Sequence, residues 1–137
     1  MNEYQTLDIA NDRGVCHVTI SNPPVNVMTT ALYQDLVAVT EELASDESIK
    51  VVVFQSADPD FFIAHFDVSL ILTFPAEGEA ERAEKLSPFH QMCERVRTMP
   101  KATIVKMAGR AGGGGNEFAA SCDMRFGVQG KTIINQM

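Results

Sequence analysis

Apolar and polar residues alternate along this chain in two distinct rhythms. Leu32, Leu36, Val39 and Leu43 recur at spacings of four, three and four, which sets them on one face of a helix, with Glu41 and Glu42 on the other side. Thr29 or Thr30 supplies its N-cap. A different rhythm follows at Ile49-Lys-Val-Val-Val-Phe54. This nearly continuous apolar run predicts a strand in the middle of a parallel sheet, covered on both faces. Upstream, Val15-Cys-His-Val-Thr-Ile20 is rich in β-branched residues and predicts the second strand of a hairpin. Its partner is Tyr4 to Asp8, and Asn11 to Gly14 form the turn. His17 lies mid-strand, as a satisfied or solvent-facing histidine. Ser21-Asn-Pro-Pro24 stops the strand, because prolines supply no N–H donor.

The second part of the chain repeats the alternation. Ser56 to Asp60 is a turn, and Phe61-Phe-Ile-Ala-His-Phe-Asp67 begins just beyond the end of a buried strand, where α/β sheets commonly bind ligands. Val68 to Phe74 predicts a single short helical turn, and Pro75 to Glu79 a polar loop. A second helix is predicted from Glu79 to Met99, with Leu86, Phe89, Cys93, Val96 and Met99 inward. Its charged start, Glu79 to Lys85, is a solvated face or a mobile segment. Pro88 begins or bends the ordered part, and Pro100 closes it. Lys101 to Met107 is a buried strand, Asn116 to Cys122 opens a short helix, and Thr132 to Asn135 is a last strand. A β-β-α order recurs loosely, without a fixed sequence period.

Between the Lys101 strand and the short helix lies Gly109-Arg-Ala-Gly-Gly-Gly-Gly-Asn-Glu117, which holds five of the nine glycines in the chain. A glycine-rich strand-to-helix turn lets backbone approach a ligand and aim free N–H groups at it. The positive end of the helix dipole favours a phosphate, a carboxylate or a developing oxyanion there. Glu117 enters within the first helical turn, beside whatever those groups hold. Two nucleotide motifs are excluded by counting. No register of residues 109 to 118 satisfies G-x-G-x-x-G, and Gly115 is followed by Asn116 where a phosphate loop requires Lys and then Ser or Thr.

Composition narrows the picture further. With 137 residues, 45% of them hydrophobic, the chain is long enough for one domain with a real core. A formal charge of −7, with eleven scattered Lys and Arg, argues against a nucleic-acid surface. Cys16, Cys93 and Cys122 are widely spaced and form no C-x-x-C, so neither a disulfide framework nor a zinc site is expected. Reduced thiols fit a cytoplasmic setting. The N-terminus shows no secretory pattern, and no apolar run approaches the ~18–20 residues that span a membrane.

Three segments, taken in order, resemble the crotonase superfamily of enoyl-CoA hydratases and isomerases. They are Ser21-Asn-Pro-Pro-Val-Asn-Val-Met28, Phe62-Ile-Ala-His-Phe-Asp67, and Lys101 to Gly109 running into Gly113-Gly-Gly-Asn-Glu117 and Ala119-Ala-Ser-Cys-Asp123. The resemblance covers essentially the whole chain. It implies an α/β fold, a crotonase-like spiral of β-β-α units (the ClpP/crotonase fold), truncated, with residues 1–137 as the N-terminal part of a single core domain. It also implies an acyl-CoA thioester as substrate, with its carbonyl oxygen held between two backbone N–H groups, from the residues matching Ala64 and Gly114. Such an oxyanion hole stabilises an enolate. Glu117 matches the first of two hydratase glutamates and takes the general acid/base role. Val25, Val27, His65, Asp67 and Gly113 would border the substrate. No metal is called for, and no cofactor beyond the coenzyme A of the substrate itself. The full-length relatives are expected to form homotrimers or dimers of trimers, with neither nucleic acid nor membrane as partner.

The sequence departs from the family pattern in two places. Family members usually carry glycine where this chain has His65, directly after Ala64; a histidine there alters the loop, narrows the pocket or titrates beside the substrate. Asp67, by contrast, matches a common family aspartate of structural character. The second hydratase glutamate would fall at Met137 or one place beyond, and the ending Thr132-Ile-Ile-Asn-Gln-Met137 has the look of a strand interrupted, as in a fragment. These departures keep open a second reading, a crotonase-fold protein that binds acyl-CoA or a partner with little catalysis. A third, an unrelated α/β binding domain, predicts no affinity for CoA thioesters.

Overall fold

The computed structural model describes residues 3–136. Two sheets carry the fold. The first has the order β1-β2-β3-β5-β7 and the second β4-β6-β8. Strands β1 (Leu7–Asp12) and β2 (Val15–Ile20) form an antiparallel hairpin, and from β2 onward every pairing in both sheets is parallel: β3 (Val51–Ser56) on β2, β5 (Ala102–Met107) on β3, β7 (Met124–Gly127) on β5, and β6 (Arg110–Gly112) between β4 (Phe61–Ile63) and β8 (Ile134–Asn135). Successive turns of chain therefore add one strand to each sheet: β3 then β4, β5 then β6, β7 then β8. Helices α1 (Thr30–Ser45), α2 (Pro88–Thr98) and α3 (Gly114–Ser121) separate the pairs. This is the β-β-α repetition that the sequence shows only loosely, because what repeats is geometry and not residue spacing.

The apolar rhythm of α1 is fully used. Leu32, Leu36, Val39 and Leu43 are all at most 1% exposed. The Thr29 hydroxyl caps the helix by accepting from the Leu32 N–H at 3.3 Å. Beyond the other end, the Lys101 Nζ donates to the carbonyls of Asp46, the C-cap, and of Ile49 in the loop that follows, at 2.7 and 3.1 Å. Below α1, Phe54 of β3 meets Phe118 of α3 edge to face, with ring centroids 4.9 Å apart and both side chains fully buried.

Several boundaries differ from the sequence expectation, each for a local reason. The first strand is Leu7–Asp12 and not Tyr4 to Asp8, because the hairpin closes through only two residues, Arg13 at φ 45° and Gly14 at φ 84°. Two consecutive positive φ values give the tight turn whose twist matches paired strands. The central strand runs Val51–Ser56, with Ile49 buried just before it. The second helix starts at Pro88 and not at Glu79: the Ser87 hydroxyl caps it, accepting from the His90 N–H, and proline fills the first helical position. Leu86 is thus outside the helix and 55% exposed, while Cys93, Val96 and Met99 are buried as expected and Phe89 is partly so. The last strand shortens to Ile134–Asn135. Met124–Gly127 is an additional strand, exposed along its length at the sheet edge, for which the sequence offers no buried alternation. Val68–Thr73 is the expected short turn, of 3₁₀ type. All three cysteines are free and buried. Burial holds the Cys122 thiol up at about 12, so it is an inert core residue.

Candidate active site

The fold divides the glycine run into three pieces. Arg110–Gly112 is strand β6, Gly113 is a turn residue at φ 48°, ψ −119°, and α3 begins at Gly114. The helix therefore starts two residues before the expected Asn116. The reason is contact. A Cβ on Gly115 would lie 2.6 Å from the Ile63 Cβ and carbonyl oxygen, and one on Gly112 would lie 2.2 Å from the Ala64 carbonyl oxygen. Glycine in a helix costs ~1 kcal/mol in propensity, but here only glycine lets α3 and β6 close onto the Asp60–Phe66 backbone. The same strip brings His65 against Gly113, 3.9 Å from its Cβ position, and the Phe66 ring against Gly114 at 3.4 Å.

Ala64 and Gly114 thus come from two segments in backbone contact. Gly113 spends its own N–H on the Asn135 carbonyl at 3.1 Å. Gly114 is the first helical residue, so its N–H has no partner within the helix. No turn or loop bond takes up the N–H of Gly114 or of Ala64 among the described residues. Both residues are buried. Glu117 follows in the first turn of α3, half-buried, its N–H bonded to the Gly113 carbonyl at 3.0 Å. Its carboxylate makes no hydrogen bond or ion pair among the described residues. Across from it on α2, burial raises the Cys93 thiol, the Ser121 hydroxyl acts against that shift, and the negative charge of Glu117 adds to it.

The loop bearing Val25 and Val27 is tied to the same place. The Met28 N–H donates to the His65 carbonyl at 2.8 Å, and the Asp67 N–H donates to the Met28 carbonyl at 3.1 Å, so Met28 and Phe66 form a parallel bridge. Val25 and Val27 are half-buried. Asp67 itself caps the 3₁₀ turn: its Oδ1 accepts from the Ser69 hydroxyl at 2.7 Å and the Ser69 N–H at 3.0 Å. Those two bonds hold its carboxyl below the usual carboxylate range. Its side-chain hydrogen bonds lie within its own turn.

One organising residue escaped the sequence reading. Asn26 is 2% exposed and holds φ 53°. Its Oδ1 accepts from the Asn22 N–H at 2.8 Å, and its Nδ2 donates to the Ser56 hydroxyl at 2.7 Å and the Phe62 carbonyl at 3.0 Å. It fixes the 22–28 loop to the ends of β3 and β4. The available signal was its residue type, since asparagine is the side chain most tolerant of positive φ. On the far side of this loop, Ser21, Asn22, Pro23, Asn26 and Ala57–Pro59 line a cavity of about 280 Å³. It does not include the glycine strip. The position expected for a second carboxylate, at or after Met137, lies outside the described residues.

Two sheets, parallel from β2 onward and fed strand by strand, with a glycine strip opening a helix, have the crotonase fold. The enoyl-CoA hydratase/isomerase family model matches residues 10–134, and the chain belongs to this family. It is 30% identical over 118 residues to the probable enoyl-CoA hydratase EchA17 of Mycobacterium tuberculosis, covering 86% of this chain and 44% of that protein. To a probable enoyl-CoA hydratase of Bacillus subtilis it is 25% identical over 123 residues, covering 90% and 46%. Among solved structures, a Streptomyces avermitilis protein with a provisional enoyl-CoA hydratase name superposes at TM-score 0.81 and 37% identity, over 98% of this chain and 50% of that one. A Geobacillus kaustophilus structure at 21% identity and TM-score 0.82 supports the fold alone. The chain spans about half the length of these relatives.

Proposed function

We propose that this chain carries the oxyanion-stabilising part of an acyl-CoA enzyme, of enoyl-CoA hydratase or isomerase type. In this reading the thioester carbonyl oxygen lies between the N–H groups of Ala64 and Gly114, and charge developing there as an enolate is met by donors already in place. Fixed donors need no reorganisation during reaction, and loss of one costs ~3–4 kcal/mol of transition-state stabilisation. Glu117 moves the proton at the acyl carbon or positions the attacking water. Val25, Val27, His65 and Gly113 border the thioester. The observation that carries the reading is the contact between the glycine strip and the Asp60–Phe66 backbone. It gathers Ala64, Gly114 and Glu117 from segments far apart in sequence, with both N–H groups outside the turn and loop bonds.

The test is crotonyl-CoA hydration by wild type and Glu117→Gln. A general acid/base contributes about 10²–10⁴-fold, so Glu117→Gln is expected to lose at least about a hundredfold in kcat with binding retained. Equal rates would remove Glu117 from the mechanism. A second reading, thioester binding with little turnover, draws on His65 in place of the usual glycine. It predicts calorimetric binding of crotonyl-CoA by wild type and Glu117→Gln alike, with hydration at background in both.

A further inference from the structure

The last strand brings one polar side chain over the glycine strip. Asn135 stands opposite Gly112 in the β6–β8 pair. Paired residues of parallel strands point to the same face, and Gly112 has no side chain to fill it. The backbone of β8 is held on both sides of this point. The Asn135 carbonyl accepts from the Gly113 N–H at 3.1 Å, and the Gln136 Oε1 accepts from the Asn116 Nδ2 at 2.9 Å. Two oxygens then crowd Gly112. The Ala64 carbonyl oxygen lies 2.2 Å, and the Asn135 Oδ1 2.8 Å, from the position a Cβ on Gly112 would take. Among the described residues Oδ1 is buried with no hydrogen-bond partner, and no turn or loop bond takes up the Ala64 carbonyl. Buried polar atoms are as a rule paired, yet here two acceptors share one place with no donor between them. The Asn135 Nδ2 makes no hydrogen bond either, and it is not shut away from solvent. Half a turn about the last torsion resolves all three. Nitrogen and oxygen of an asparagine amide have nearly the same shape, and their neighbours decide which way round they stand. Turned, the nitrogen meets the Ala64 carbonyl as a donor and the oxygen faces water.

We infer that Asn135 is a positioning residue, whose Nδ2 donates to the Ala64 carbonyl and so sets the direction of the Ala64 N–H at the thioester. The inference rests on the proposed oxyanion site. Ala64 lies just past the end of β4, where the ladder to β6 no longer holds it. The next carbonyl, that of His65, is already fixed by the Met28 N–H at 2.8 Å. With Asn135 on the Ala64 carbonyl, two successive peptide units are held, and the N–H ahead of them keeps one orientation. A donor that is fixed before charge develops needs no reorganisation during reaction. Gly112 is the opening through which the β8 side chain reaches β4, since a Cβ there would displace both oxygens.

The test begins with ¹³C and ¹⁵N spectra of the 137-residue chain without ligand. The expected result is a scalar coupling across the hydrogen bond, from the Asn135 Nδ2 to the Ala64 carbonyl carbon. It is read on wild type, so it decides the hydrogen bond even where a variant fails to fold. Crotonyl-CoA hydration then follows in two variants. Asn135→Asp keeps the shape and removes the donor. It is expected to lower kcat and kcat/KM together, by at least about tenfold at neutral pH, the upper worth of one net hydrogen bond, with KM near wild type. Protonation of the new carboxyl returns a donor, so this deficit relative to wild type narrows as pH falls. Asn135→Ala has no donor at any pH, and its deficit stays flat. Absence of the coupling to Ala64, or an Asn135→Asp deficit that is missing or independent of pH, overturns the inference and leaves the thioester site standing. A wild-type chain that shows the coupling but neither binds nor hydrates crotonyl-CoA removes the proposed function, and the positioning role with it.

Discussion

The α1 and α2 layer over β2, β3 and β5, and the strip where Gly109–Gly115 crosses the Asp60–Phe66 backbone, are packed by opposite means. In the first, contact is made by side chains: Leu32, Leu36, Val39 and Leu43 from α1, Met92 and Val96 from α2, and Val18 and Phe54 from the sheet are all buried to 1% or less. In the second, contact is made by their absence. A Cβ at Gly109 would come within 2.0 Å of the Asp60 carbonyl oxygen, and one at Gly115 within 2.6 Å of Ile63. The difference bears on function. A side-chain interface seals backbone polar groups inside helices and ladders. A backbone interface leaves the first amide of α3, that of Gly114, outside the helical hydrogen bonds and close to a second chain segment. In the proposed reading, the part of the fold built from least material presents N–H groups to the thioester.

The comparison predicts mutations of opposite sign. In the side-chain layer, removing atoms is what costs. Phe54→Ala, which vacates the contact with Phe118, is expected to destabilise by about 3–5 kcal/mol in urea titrations with an unchanged m-value. In the strip, adding atoms costs. Gly109→Ala inserts one methyl against the Asp60 backbone and is expected to lose about 1–3 kcal/mol, at the upper end because the atoms met are main chain and cannot swing aside. A Gly109→Ala protein as stable as wild type would mean that the strip yields easily, and the contrast with the Phe54 layer would collapse.

The same contrast decides what could be read from sequence. The side-chain layer writes itself into hydrophobic periodicity, so the face of α1 and the buried character of β3 were legible residue by residue. The strip has no periodicity. Five glycines announced a close approach, and the family resemblance implied roles for Ala64 and Gly114, yet the run was taken for one turn. In the fold it is a strand, a turn at Gly113 and a helix start, because contact with β4 overrides the poor helix propensity of Gly114 and Gly115. Asn26 was illegible for a related reason. Its importance lies in one φ of 53° and bonds to residues 30 and 36 positions away. The start of α2 was left between Glu79 and Pro88 because Glu79–Lys85 has helix-forming composition; the Ser87 cap and Pro88 supply the sharper local start, nine residues after Glu79.

The smallest effect lies at the end of the loop that carries Ala64 and His65. Asp67 is half-buried and caps the 3₁₀ turn through Ser69, whose hydroxyl and N–H hold its carboxyl below the usual range. A depressed folded pKa means that the cap's contribution is complete above the unfolded carboxylate value of ~3.9 and is lost as pH falls through the lower, folded value. The Ser69 amide resonance is therefore expected to titrate below ~3.9 in wild type. In Asp67→Asn the side-chain oxygen still accepts from Ser69 without titrating, so the same resonance should be flat with pH while the turn persists. A wild-type midpoint at the ordinary carboxylate value would show that the Ser69 bonds are not populated in solution. The loop ahead of the turn would then depend on the Met28 strand bridge alone, and the site's second wall would rest on the glycine contacts rather than on any cap.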